Sequence, residues 1–271
     1  MNAFKHLLNA AGGHPPVGTW ISSASPLVAE AVAHAGFDWA LLDMEHSPLD
    51  MMGVVQLLQA VSASRMVPVL RVPWNDAVTI KRVLDAGVTT LLVPFVQSAA
   101  EAARAVAAAR YPPEGVRGMS NSSRASKFGT ASNYLRTANA GIALIVQLET
   151  VQALAELEAI SAVPGVDALF LGPADLSASM GHVGEPGHPA VMRLMADAVQ
   201  RCKALGKPVG TVGATPEVVA QYRAIGFDFV AVASDLALLI RGAQAAIAAL
   251  RTQDSVHVHT LASGTQTGGG R

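Results

Sequence analysis

The sequence predicts a (β/α)8 barrel over residues 1–251, and three observations carry the prediction. Short apolar runs alternate with longer helical patterns from one end of the chain to the other. The short runs are continuously apolar, as in LLVPFV and GIALIV, which marks strands of a parallel sheet covered on both faces. A phrase joining a helix end, Gly, Phe-Asp and a strand occurs as AGFDWALL and again as IGFDFVAV, the sign of equivalent βα units. The alternative is an open doubly wound sheet. Neither a GxGxxG after the first strand nor a GxxxxGK[ST] anywhere supports it.

The units follow in order. PVGTWISS (16–23) reads as a strand, and SPLVAEAVAHAG (25–36) as a helix with Ser25 capping it, Pro26 in its first turn and Gly36 closing it. FDWALLDME (37–45) precedes the helix LDMMGVVQLLQAVSAS, MVPVLRVP (66–73) the helix DAVTIKRVLDAG, and TTLLVPFV (89–96) the helix SAAEAARAVAAARY. A connection rich in Gly, Ser and Asn then runs from Pro112 to Ala140, too long for an ordinary barrel loop. GIALIVQLE is followed by a helix from Thr150, VDALFLG by a helix from about His188 to Leu205, KPVGTVG by TPEVVAQYRAIG, and FDFVAVASD by a helix ending near Leu250. Residues 252–271 lack apolar periodicity and read as a disordered end or an expression remnant, in which His257 and His259 form at most an adventitious metal site.

Composition narrows the function. Net charge is −1 with Lys and Arg scattered, which argues against a nucleic-acid partner. No apolar run reaches the length of a membrane span, and the N-terminus shows no cleavable leader. A soluble cytoplasmic protein is expected. The single cysteine, Cys202, lies at helical spacing and is expected to pack in the core.

In such a barrel, chemistry gathers at the carboxyl ends of the strands. Two strands separated by one crossover helix run out into Glu149 and Asp175. Two carboxylates on rigid strand ends suit a hard divalent cation. The second strand ends in Asp43, Glu45 and His46, the third in Arg71, and the fifth carries Gln147. His46 is either a proton carrier or a loop residue capping a carbonyl. Arg71 either steadies an oxyanion or pairs with Asp43 or Glu45, and both can hold together. Gly172, Pro173 and Ala174 turn the chain so that the amides of Ala174 and Asp175 can form an anion nest. Asp85, late in its helix, opposes the dipole and reads as a surface residue. His182 and His188 flank a glycine-containing loop and read as solvated.

LLDMEHSP, PVLRVP, LLVPFVQSAAEA, YPPEGVRG, VQLET and LGPADLSASMG resemble the HpcH/HpaI family of metal-dependent class II pyruvate aldolases. The similarity extends over residues 4 to 250. It implies a TIM barrel of the phosphoenolpyruvate/pyruvate type, with Glu149 and Asp175 as ligands of Mg, Mn or Co. It implies that Gln147, Ala174 and Asp175 contact pyruvate, that His46 is the base and Arg71 the stabiliser of the transition state, and that Asp85 raises the basicity of the histidine. The implied reaction is retro-aldol cleavage of 4-hydroxy-2-oxoheptanedioate to pyruvate and succinate semialdehyde, a step in the breakdown of aromatic compounds, by a homohexamer. A 2-keto-3-deoxy sugar acid substrate, a CoA-ester lyase and a non-catalytic keto-acid binder are the alternatives. No predicted strand carries an internal lysine, as a Schiff-base aldolase would need. The segment Met119–Ser126, MSNSSRAS, is more polar than the family pattern and is expected to border the aldehyde end of the site.

Overall fold

Eight parallel strands close on themselves in sequence order, β1 pairing with both β2 and β8. The computed structural model describes residues 2–263. The strands are β1 (Val17–Ile21), β2 (Trp39–Asp43), β3 (Val67–Arg71), β4 (Thr90–Val93), β5 (Ala143–Leu148), β6 (Ala168–Leu171), β7 (Val209–Gly213) and β8 (Phe229–Ser234). Each lies within the run expected for it. Most of their residues are buried, because the barrel interior covers one face and the helices the other.

The helices between them start where the chain supplies a side-chain acceptor for the first free amides. α2 (Pro26–Ala33), α3 (Met51–Val61), α4 (Ala77–Asp85), α5 (Ala99–Ala109), α7 (Val151–Ala155) and α11 (Pro216–Ile225) are capped by Ser25, Asp50, Asp76, Ser98, Thr150 and Thr215. α8 (Leu157–Ser161) continues the unit that α7 begins, and α10 (Pro189–Ala204) is capped by the His188 ring. Cys202 is fully buried in the shell between helices and sheet, where burial pushes its thiol up to about 12. It packs and does not react.

Three helices have no counterpart in the sequence reading. α1 (Ala3–Ala10) closes the floor of the barrel, with Phe4 set edge-on against Trp39 and Phe229 at 6.1 and 5.2 Å. Asn2 anchors it, accepting the Phe4 and Lys5 amides while donating to the carbonyls of Thr89 and Gly141. The interior has room for these rings because Gly18 and Gly210 face them; a Cβ at either would come within 2.3 Å of Trp39 or 2.2 Å of Phe229. α6 (Tyr134–Gly141) lies inside the long connection, and α9 (Pro173–Ser179) begins immediately after β6.

The barrel unit runs to Asp235, whose carboxylate accepts the amides of Ser22 and Ser23. The final helix, α12 (Asp235–Ser263), forms its own unit and continues past the end expected near Leu250. Leu236, Leu239, Ile240, Ile247 and Leu250 are exposed along it. Residues 264–271, the rest of the expected tail, lie outside the described residues. Among the described residues no helix is long and apolar enough to cross a membrane.

The topology sorts the loops into two faces. A helix that follows a strand runs back to the opposite end of the barrel, so residues at its close lie away from the mouth. Asp85 closes α4, a helix of nine residues that at about 1.5 Å per residue is roughly 13 Å long, and so lies toward the opposite end of the barrel. The long connection leaves α5 and enters β5, so Met119–Ser126 also belongs to the floor face, where Ala125 donates to the Asp85 carbonyl and Arg124 to that of Ala86. This corrects the expectation that the segment borders the mouth of its own barrel.

Candidate active site

The register between β2 and β3 sets Asp43 beside Arg71 at the carboxyl ends of both strands. Residues paired this way project to the same side, so the guanidinium meets the carboxylate squarely. Arg71 Nε donates to Asp43 Oδ1 at 2.9 Å and Nη2 to Oδ2 at 2.8 Å, a two-point fork. Nη1 lies 2.8 Å from Glu45 Oε2, close as an ion pair but out of line for a hydrogen bond, which leaves that buried oxygen with an unused lone pair. Burial opposes the Arg71 charge, yet the hydrogen bonds and charge of Asp43, with Glu45 and Glu149, outweigh it and raise its pKa further. The pairing with both acids thus coexists with donors left for a ligand, since three nitrogens carry five N–H bonds.

Glu45 and His46 occupy the bend after β2, which Asp43 Oδ1 shapes by accepting the Glu45 amide at 3.0 Å. Burial lifts the Glu45 carboxyl above its ordinary value, while Arg71 and His46 pull it back. The His46 ring stands at the rim, 67 % exposed, with Nε2 3.9 Å from Glu45 Oε2. It is free to meet a substrate, and a carboxylate stands next to it.

Across the mouth, β5 delivers Gln147 and Glu149, both 3 % exposed. Glu149 Oε1 accepts the Phe95 amide at 2.8 Å, and Oε2 accepts from Gln147 Nε2 at 2.5 Å. Gln147 Oε1 is buried with no partner. Asp175 sits in the first turn of α9, exposed at the same mouth. Burial first, and the nearby Asp175 second, push the Glu149 acid up to about 7. The expected tight turn at Gly172–Asp175 is the start of a helix. Gly172 N-caps it without a side chain and Pro173 has no amide to satisfy, so Ala174 and Asp175 carry the first-turn amides of the nest reading.

A divalent cation fits this donor set. Two carboxylates and an unpartnered amide oxygen are hard ligands, and a cation would relieve the repulsion that burdens Glu149. The cradle is close-fitting, since a Cβ on Gly172 would come within 2.6 Å of Glu149 Oε2 and 2.8 Å of Gln147 Nε2.

His46, Arg71, Gln147, Glu149, Ala174 and Asp175 are therefore brought to one face. Asp85 is not: within its own chain it pairs with the fully buried Arg117 at 2.6 Å on the floor side. The sequence reading missed Phe95, whose backbone adopts φ +53, a conformation rare outside glycine, and aims its amide at Glu149. Its only sequence signal is the Pro94-Phe95 break after an apolar strand.

A barrel whose mouth holds a forked arginine, a rim imidazole and a carboxylate pair is built as an enzyme. The model described as HpcH/HpaI aldolase/citrate lyase matches residues 17–242, and the chain belongs to that family, among the carbon–carbon lyases. It is 50% identical over 236 residues to the 2-dehydro-3,6-dideoxy-6-sulfogluconate aldolase of Pseudomonas putida, covering 87% of this chain and 92% of the relative. It is 46% identical over 245 residues to the 4-hydroxy-2-oxo-heptane-1,7-dioate aldolase of Salmonella arizonae, covering 90% and 92%. A crystal structure of an HpcH/HpaI aldolase/citrate lyase family protein from Burkholderia cenocepacia superposes with a TM-score of 0.89 at 41% identity, covering 93% of this chain and all of that one.

Proposed function

We propose that the protein cleaves a 4-hydroxy-2-oxo acid to pyruvate and an aldehyde, with 4-hydroxy-2-oxoheptanedioate as leading substrate and succinate semialdehyde as second product. The observation that carries the reading is Glu149, buried beside Asp175 with its acid raised to about 7, a carboxylate that calls for a cation. The names of the two relatives describe 2-oxo acids bearing C3 methylene and C4 hydroxyl groups, so cleavage between C3 and C4 gives pyruvate in both cases. A 2-keto-3-deoxy sugar acid is accordingly the second reading.

Glu149 and Asp175 would hold a divalent cation (Mg, Mn or Co), which when bound supplies Lewis-acid polarisation of the substrate's keto oxygen. Gln147 and the Ala174 and Asp175 amides bind and orient the keto acid. His46 takes the C4 hydroxyl proton as the C3–C4 bond breaks, and that bond's electron pair moves onto C3, C2 and the keto oxygen as an enolate. Arg71, fixed by Asp43, donates hydrogen bonds to that oxygen. Protonation at C3 then completes pyruvate.

Asp85 enters this scheme through assembly. The reading includes a homo-oligomer, hexameric by family resemblance; Asp85 is paired with Arg117 in its own chain, so a role beside His46 would need a neighbouring chain to bring the two together. The exposed apolar residues of α12 support self-association in their own right.

The test is pyruvate release from 4-hydroxy-2-oxoheptanedioate by chelator-stripped protein, before and after adding Mg, Mn or Co, with His46→Ala, Glu149→Ala and Asp175→Ala beside it. Metal-restored activity lost in all three variants supports the reading. Release only from 2-keto-3-deoxy sugar acids moves the assignment to the second substrate class. Silence on both refutes it.

A further inference from the structure

A second cluster of ligand side chains lies on the loop between α9 and α10, outside the residues used for the aldol reaction. One ligand atom from each of His182, Glu185 and His188 lies within 4.8 Å of the others. The two imidazoles stack with ring centroids 3.5 Å apart and planes 18° from parallel, so they are gathered and half-buried, unlike the solvated pair expected from sequence. Successive turns build the cluster: His182 donates to the Ser177 carbonyl at 2.8 Å, Glu185 to that of His182 at 3.0 Å, and His188 to that of Glu185 at 2.9 Å. Every third residue therefore returns to the same side of the loop.

We infer that His182, Glu185 and His188 form a zinc-class metal site that clasps the α9–α10 loop. Two imidazole nitrogens and one carboxylate are a zinc donor set that leaves a fourth position for water. Mg prefers oxygen ligands throughout, so this cluster favours Zn over Mg. Donors on a tetrahedral ion at about 2.0–2.1 Å stand roughly 3.4 Å apart. The donor atoms lie within 4.8 Å of one another, and because the lone pairs of two near-parallel rings do not converge on one point, loading turns the imidazoles out of their stack as the exposed glutamate swings in.

Binding has a structural consequence. His188 Nδ1 accepts the Ala190 amide at 3.2 Å and caps α10, so the neutral ring carries its proton on Nε2. Ligation through Nδ1 uses that lone pair, and ligation through Nε2 moves the proton to Nδ1. Either route ends the cap, so loading exchanges it for a coordinate bond and releases the Ala190 amide.

The test uses the full chain carrying Glu149→Gln, Asp175→Asn, His257→Gln and His259→Gln, which removes the carboxylate pair and the tail histidines as competing ligands. Equilibrium dialysis with Zn alone is expected to show one ion per chain, and Mg alone to show none. Adding His182→Gln or Glu185→Gln is expected to weaken Zn binding at least tenfold. Neither substitution touches the α10 cap, and circular dichroism verifies the fold. Co substituted for Zn is expected to give visible absorption typical of nitrogen ligation, and loading to accelerate hydrogen exchange at Ala190. In the otherwise unaltered chain, His182→Gln is expected to leave Mg-supported pyruvate release unchanged. Zn binding unaffected by His182→Gln and Glu185→Gln, or Mg bound as tightly as Zn, overturns the inference.

Discussion

Replacing Glu149 by glutamine in metal-free protein isolates the electrostatic burden on the proposed cation site. Burial and Asp175 move this carboxyl from 4.5 to about 7, which costs its ionised form about 3 kcal/mol in the folded state. Because the folded pKa is raised, the folded chain holds the proton more tightly than the unfolded chain. The associated stability is complete below about pH 4.5 and is lost as pH rises through about 7. Glutamine is neutral throughout and still accepts the Phe95 amide, while a flip of Gln147 offers its unpartnered Oε1 to the new NH2 group. The metal-free variant should therefore be more stable than wild type by up to about 3 kcal/mol at pH 8, shrinking below about 1 kcal/mol at pH 5. For a chain of this size that is about 6–12 °C in Tm at pH 8. Calorimetric melts at both pH values and fixed protein concentration measure it, and Mg should raise the wild-type Tm but not the variant's. A variant less stable than wild type at pH 8, or an equal gain at both pH values, refutes the reasoning.

The other predictions address single links in the mouth. Arg71→Met leaves Asp43 buried without its fork and should cost about 3–5 kcal/mol in urea unfolding, whereas Arg71→Lys keeps the charge, loses the fork and should lower the turnover of pyruvate release about 10²–10³-fold. His46→Gln removes an exposed ring, so stability should stay within about 0.5 kcal/mol while kcat falls about 10²–10⁴-fold; a parallel loss of stability would speak for a structural histidine. Gly172→Ala has a permissive φ of −90 but sets a methyl against Glu149 and Gln147. It should cost about 1–3 kcal/mol and weaken Mg binding in isothermal titration calorimetry, and unchanged affinity would contradict the close cradle.

Local chemistry was legible in the sequence. Eight continuous apolar runs, Ser25 and Pro26 at one helix start, and acids or a guanidinium at strand ends are statements about neighbours in the chain, which order along a strand or helix preserves. The barrel then required that Asp43, Arg71, Gln147 and Glu149 emerge at one mouth, because parallel strands share a direction. For Arg71 the structure shows the salt bridge to Asp43, and a guanidinium has more donors than one carboxylate can use.

What tertiary structure alone decided depends on distances across the barrel. The Phe95 amide reaches Glu149 through a positive-φ conformation that the Pro94-Phe95 break marks as a turn but does not specify. α1 becomes a floor plug only because Asn2 finds carbonyls of Thr89 and Gly141, 87 and 139 residues away. Asp85 stands on the face opposite His46 because a helix after a strand must run back, so a role beside that histidine calls for a second chain. His182 and His188 stack because three turns fold one loop upon itself. Composition sets which groups can ionise, but burial and the charges brought near them, as at Glu149, set where they do. Those follow from closure of the whole barrel, which pairs residues too far apart in the chain for any local pattern to record.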